Sequence, residues 1–153
     1  MVEMKSEPYT ITFGIIGAGR IGKLHADNLL SHVKGAKLKT VTDPFLDEEW
    51  AASRNIPVTG KDHQIMLDDP EIDAILIGSP SSEHAQQMIE CAQAGKHIFC
   101  EKPIALDPNI IKNALTEVEK SGVKLQVGFN RRFDPNFAAI RKQVTSGVLG
   151  DPH

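Results

Sequence analysis

Short apolar runs alternate with stretches in which apolar side chains recur every three or four residues, from residue 10 almost to the end of the chain. That alternation predicts a parallel sheet whose strands are joined by crossover helices. Strands are expected at residues 10–16, 37–42, 57–59, 73–77, 97–100 and 124–127. The fourth run, almost purely apolar after Asp73, fits a strand covered on both faces. Helices are expected at 20–31, at 47–55 with Asp47 as cap, and at 62–67. Ala85, Met88, Ile89 and Ala92 then recur at i, i+3, i+4, i+7, with Gly95 as a left-handed stop. Two further helices share one grammar. Asp107 caps and Pro108 opens the first, with the stripe Ile111, Ala114, Leu115, Val118 and a stop at Gly122; Asp134 and Pro135 begin the second, with the stripe Phe137, Ile140, Val144 and a stop at Gly147. The result is an α/β domain with a doubly wound parallel sheet over 10–147, after a tail at 1–9 and before a connection at 148–153. No internal repeat, low-complexity tract or linker interrupts it.

Composition narrows the function classes. A chain of 153 residues buries about two-thirds of its unfolded surface and needs no disulfide or metal staple. Seventeen Lys and Arg against twenty Asp and Glu give a net charge of −3, and aromatic residues make up 5%. Nucleic-acid binding, which rests on clustered cations and stacking rings, is therefore not expected. No apolar run reaches the roughly 18 to 20 residues of a membrane span, and the polar opening MVEMKSEPYT does not resemble a secretory leader, so a cytoplasmic protein is expected. Cys91 and Cys100 fit no C-x-x-C or zinc spacing and read as reduced, buried thiols of an intracellular protein.

Gly17-Ala18-Gly19-Arg20-Ile21-Gly22 is G-x-G-x-x-G placed between an apolar strand and an amphipathic helix. Gly17 permits the tight turn, Gly19 admits a pyrophosphate close to the backbone, and Gly22 lets helix and strand touch, while Arg20 and Ile21 open the helix whose free amides face the anion. Asp43 ends the second strand 21 positions after Gly22, where a carboxylate accepts from the hydroxyls of an adenosine ribose. A 2′-phosphate there would be repelled, so NAD is favoured over NADP. The same residues also suit S-adenosylmethionine enzymes, and Asp43-Pro44 suits a plain turn.

The glycine turn, Asp68-Asp69-Pro70-Glu71-Ile72-Asp73, Ser79-Pro80, Ala94-Gly95-Lys96-His97, Glu101-Lys102-Pro103 and Gly128-Phe129-Asn130-Arg131-Arg132-Phe133 together resemble the glucose-fructose oxidoreductase / inositol dehydrogenase / MocA family. Within it the Gly-Phe-x-Arg-Arg-Phe run is most similar to inositol 2-dehydrogenases. The resemblance implies a Rossmann domain and hydride transfer between NAD and a sugar or polyol carbon. It implies that Lys102 is catalytic and also lies on the cofactor, that Ser79 and Pro80 lie near the nicotinamide half, and that Glu101 approaches the nicotinamide ribose. Asn130, Arg131 and Arg132 fall on the substrate side, and a homo-oligomer is implied for the longer parent. Alcohol oxidation releases a proton, and Lys102 serves it either as a base or as a charged group that polarises the oxygen while another base accepts. Ser81 and Ser82 offer the competing reading of a capped turn.

Family members are about twice this length and carry a second α+β domain with the remaining catalytic Asp and His. The chain is accordingly expected to bind NAD weakly without turnover. A non-catalytic NAD-sensing module is the alternative. Of the six histidines, His25 reads as a hydrogen-bonded packing residue, His97 sits within a strand, and His84 reads as a cofactor contact or a residue of the helix start. No spacing suggests a metal site.

Overall fold

The computed structural model describes residues 10–150. The expected tail at 1–9 and the last part of the expected connection, 151–153, lie outside the described residues. Six strands, β1 (Ile11–Ile16), β2 (Ala36–Thr42), β3 (Val58–Gly60), β4 (Ala74–Ile77), β5 (His97–Cys100) and β6 (Leu125–Val127), form one sheet in the order β3-β2-β1-β4-β5-β6. Every neighbouring pair is parallel. The order reverses between β1 and β4, so their carboxyl ends open a crevice at that point, and the fold is the doubly wound Rossmann arrangement.

The connecting helices are α1 (Arg20–Ser31), α2 (Glu48–Ser53), α3 (Gln64–Leu67), α4 (His84–Gln93), α5 (Pro108–Ser121) and α6 (Pro135–Thr145). Alternation along the strands sends successive side chains to opposite faces. Ile15 and Leu76 pack with Ala26 and Leu29 of α1 and Ala51 of α2. Ile16, Ile75 and Ile77 pack on the other face with Met66 of α3, Met88 and Cys91 of α4, and Ala114 and Val118 of α5. The central strand β4 is buried throughout, as its apolar run requires.

Local signals set the helix ends. Asp47 accepts from the amide of Trp50 at 3.0 Å and pairs with Lys23 at 2.7 Å, tying α2 to α1. The Lys23 ammonium, and after it the Trp50 amide, holds the Asp47 carboxyl below its ordinary value. Asp107 accepts from the amide of Asn109, and Gly122 closes α5 in the left-handed region at φ 72°. Asp134 caps α6 in the same way as Asp107 caps α5.

The structure departs from the sequence expectation at several points. The helix at 47–55 contracts to α2 because Asp47 is its cap and Asn55 takes a positive φ. The helix at 62–67 contracts to α3 because Asp62 accepts from the Gln64 amide instead of joining the helix. Ser81 and Ser82 do not cap α4, whose N-cap is Glu83 with no side-chain bond. In α6 the stripe forms but stays open: Ile140 is 57% exposed and no residue of the helix is buried. Its cap and proline specify a helix locally, whatever lies beside it.

Cys91 and Cys100 are both free and buried, as expected. Burial pushes each thiol up to about 12, helped by the charge of Glu90 at Cys91 and of Glu101 at Cys100. Since the thiolate is the reactive form, a disulfide-exchange reagent at pH 8 is expected to label neither in the native chain and both in denaturant. Unfolding releases these thiols to their ordinary 9.0, so stability is full below that value and declines as pH rises from it towards about 12. Stoichiometric native labelling at pH 8 would contradict this packing.

Candidate functional site

The turns that follow the six strands meet at the carboxyl edge of the sheet. The glycine turn after β1 is fixed from both sides: the Gly17 amide donates to the Thr42 carbonyl of β2 at 2.8 Å, and the Gly78 amide after β4 donates to Ile16 of β1 at 2.8 Å. Gly17 adopts φ +93°, and a Cβ there would lie 2.5 Å from the amide nitrogen of Ser79. Only glycine suits both the backbone conformation and that approach. Gly19 differs, because a Cβ on it would meet nothing within 4 Å. Its backbone faces open space. Helix α1 begins there with no side-chain cap, leaving its first amides to an outside acceptor.

Asp43 closes β2 with both carboxylate oxygens engaged. Oδ2 accepts from the Ala18 amide at 2.7 Å and Oδ1 from the Phe45 amide at 2.8 Å. The carboxylate therefore braces the glycine turn, and each oxygen keeps a further lone pair. At the end of β5, His25 Nε2 of α1 donates to Glu101 Oε1 at 2.8 Å, and the Lys102 amide donates to Glu101 Oε2 at 3.2 Å. Gly128 after β6 leaves room for that carboxylate, since a Cβ would lie 3.1 Å from it. His25 also stands edge-on to Phe99, at 5.3 Å between ring centres.

These turns enclose a cleft of about 800 Å³. Of the residues singled out by sequence, Gly17, Gly19, Arg20, Ile21, Asp43, Ser79, Pro80, His84, Glu101, Lys102 and Asn130 line it. Gly22 lies beneath the turn, in contact with Gly17 and Gly78, instead of lining the cleft. Arg131 stacks on Phe137 at 4.5 Å, and Arg132 borders a separate shallow depression with Arg141 and Lys142, so neither joins Asn130 in the cleft. The 3₁₀ turn at Asn130–Arg132 separates them, since three successive residues of such a turn point in different directions.

The cleft also holds residues that sequence reasoning passed over: Phe45, 93% exposed, Lys61, His63, which pairs with Glu90 at 2.7 Å, and Gln87, which accepts from Ser79 Oγ. Phe45 carried a signal, a large aromatic next to Asp43-Pro44 at a strand end. Lys61 and His63 carried none, since strand pairing alone brings β3 beside β2. Among the described residues no group of three or more His, Cys, Asp or Glu could hold a metal ion, and no helix is long and apolar enough to cross a membrane.

Comparison with known proteins bears on the same elements. Residues 11–129 match the family model GFO_IDH_MocA, described as an oxidoreductase family with an NAD-binding Rossmann fold. The uncharacterized oxidoreductase YrbE of Bacillus subtilis is 49% identical over 145 residues, covering 94% of this chain and 42% of that protein. The myo-inositol 2-dehydrogenase of Thermotoga maritima is 39% identical over 142 residues, covering 92% of this chain and 42% of that protein. The scyllo-inositol dehydrogenase of Lactobacillus casei, solved with bound NAD(H) and scyllo-inositol, superposes with a TM-score of 0.86 at 36% identity, over 93% of this chain and 43% of that one. The chain thus spans less than half the length of these relatives. With the matched region running from β1 to the turn after β6, the chain belongs to the GFO_IDH_MocA family of oxidoreductases, as an NAD-binding Rossmann fold.

Proposed function

We propose that the cleft binds NAD and supplies the cofactor side of a dehydrogenase acting on a CH–OH group of a polyol or sugar, inositols foremost. One observation carries the reading: the uncapped start of α1, the Asp43 carboxylate and Lys102 share a single cleft at the switch point of the sheet. The groups present fit the cofactor. The open space at Gly19 admits a pyrophosphate to the α1 amides, and the free lone pairs of Asp43 suit ribose hydroxyls. NAD, when bound, would supply the hydride acceptor, and oxidation of the alcohol would release the hydroxyl proton for the protein to place. Lys102, at the end of β5, polarises the substrate hydroxyl or takes that proton. Ser79 and Pro80 flank the nicotinamide half, and Asn130 reaches the substrate side. The match covers less than half the length of the dehydrogenase relatives, so the 153-residue chain is expected to bind NAD weakly and form no NADH from inositol.

A ligand that binds only the native state raises its melting temperature. NAD is expected to raise it most, NADP less, and S-adenosylmethionine not at all. A shift with S-adenosylmethionine alone would overturn the reading. Asp43 sets the order of the first two, but it also holds Ala18. Asp43→Ala is therefore expected to narrow the NAD preference by about tenfold while weakening both cofactors, whereas Asp43→Asn narrows it with less loss, because its carbonyl oxygen still accepts from Ala18. An unchanged ratio of the two affinities in both variants would remove Asp43 from the selectivity.

A further inference from the structure

His84 opens α4 and lines the cleft, yet it is only 2% exposed and both ring nitrogens are occupied. Nε2 lies 2.8 Å from the carbonyl oxygen of Ser79, and Nδ1 lies 2.8 Å from that of Pro103. A carbonyl can only accept, so the imidazole donates in both bonds as the imidazolium, with a proton on each nitrogen, and in one of them as the neutral ring. Ser79 belongs to the turn after β4, and Pro103 follows Lys102 after β5. The sheet aligns β4 and β5 as far as Ile77 and Cys100 and then releases both chains into these turns. Beyond that edge, His84 bridges them. Gln87, one turn further along α4, gives the Ser79 side a second hold, accepting from Ser79 Oγ at 2.6 Å. Pro103 has no amide of its own to offer, and its carbonyl oxygen is held by His84.

We propose that His84 is a positioning residue, clamping the Ser79-Pro80 turn to the Lys102-Pro103 turn and so fixing the width of the nicotinamide end of the cleft, without touching the cofactor itself. The inference rests on the NAD-binding reading and goes beyond it, because it assigns a different job to a residue whose position alone suggests cofactor contact. It also separates the two ends of the cleft. The bonds that hold the glycine turn and Asp43, from Gly17 to Thr42, from Gly78 to Ile16 and from Ala18 to Asp43, are made without His84. A loosened clamp therefore affects the nicotinamide end and spares the adenosine and pyrophosphate end.

Two variants each keep half of the bridge. The amide nitrogen of Asn overlays Nδ1, so His84→Asn keeps the bond to Pro103; that of Gln overlays Nε2, so His84→Gln keeps the bond to Ser79. Calorimetric titration of the 153-residue chain with NAD and with ADP, which lacks the nicotinamide riboside, provides the readout. NAD affinity is expected to fall about five- to tenfold in His84→Gln, the scale of one net hydrogen bond, and less in His84→Asn, where Gln87 still holds Ser79. ADP affinity is expected to stay within about twofold in both. Parallel loss of NAD and ADP, unchanged NAD affinity in both variants, or failure of both to melt cooperatively would each overturn the clamp. An unsubstituted chain that binds neither nucleotide would remove the NAD reading and the clamp with it, and unchanged variants beside a chain that binds NAD would remove the clamp alone.

Discussion

A chain with alanine at position 22 is expected to lose NAD binding and to melt about 10 °C or more below the unsubstituted chain. A Cβ on Gly22 would land on the carbonyl oxygen of Gly17, with the carbonyl carbon at 2.9 Å and Ile15 Cγ2 at 3.8 Å behind it. The turn has little freedom to retreat. The Gly17 amide is bonded to Thr42, and Gly17 lies too close to the Ser79 backbone to admit even a Cβ. On the helix side, Gly22 lies beside Gly78, where an added Cβ would be in ordinary contact at 3.5 Å. Overpacking costs about 1–3 kcal/mol where side chains can adjust, and here the clash is with backbone, so the upper figure is a floor. Gly19→Ala is the contrast: its Cβ enters open space, so melting should shift little while NAD binding weakens. Thermal denaturation and NAD titration of the two variants separate the glycine that lets the fold close from the glycine that lets the ligand approach. Near-native melting of Gly22→Ala would mean that α1 and the turn are not packed as described.

That division of labour was legible in G-x-G-x-x-G because each glycine answers a local demand of a strand–turn–helix. The same holds for Asp47, Asp107 and Asp134, whose caps are decided within three or four residues. What was not legible depends on tertiary neighbours. Phe137, Ile140 and Val144 spell a buried stripe by spacing, but spacing cannot say whether a second surface is present, and all three stay at least partly open. His25 and Glu101 are 76 positions apart and meet because α1 packs on the sheet beside β5. The same packing adds to what sequence said of Glu101: the resemblance directs it to the nicotinamide ribose, and in the structure it lines the cleft while its two oxygens also accept from His25 and from the Lys102 amide.

Lys102 itself is expected to be dispensable for holding the cofactor and essential for turnover. Lys102→Met keeps the length and apolar stem of the side chain and removes the ammonium, so NAD affinity of the chain should stay within about twofold while the chemistry stops. Turnover is tested in a chimera that continues this chain with the remaining sequence of the Thermotoga maritima relative, of which it matches 42%. In that chimera, Lys102→Met is expected to lower inositol-dependent NADH formation by about 10²- to 10⁴-fold, the range for losing a positioned proton-transfer group. Lys102→Arg then distinguishes the two roles. Arginine keeps the positive charge but does not give up its proton, so a polarising lysine is partly replaced and a base is not. Activity of the Arg variant well above that of the Met variant assigns Lys102 to polarising the substrate oxygen, with the proton accepted elsewhere. Equal loss in both assigns it the proton. A Met variant within tenfold of the unsubstituted chimera would place the chemistry on another residue and leave Lys102 as a lysine at the end of β5.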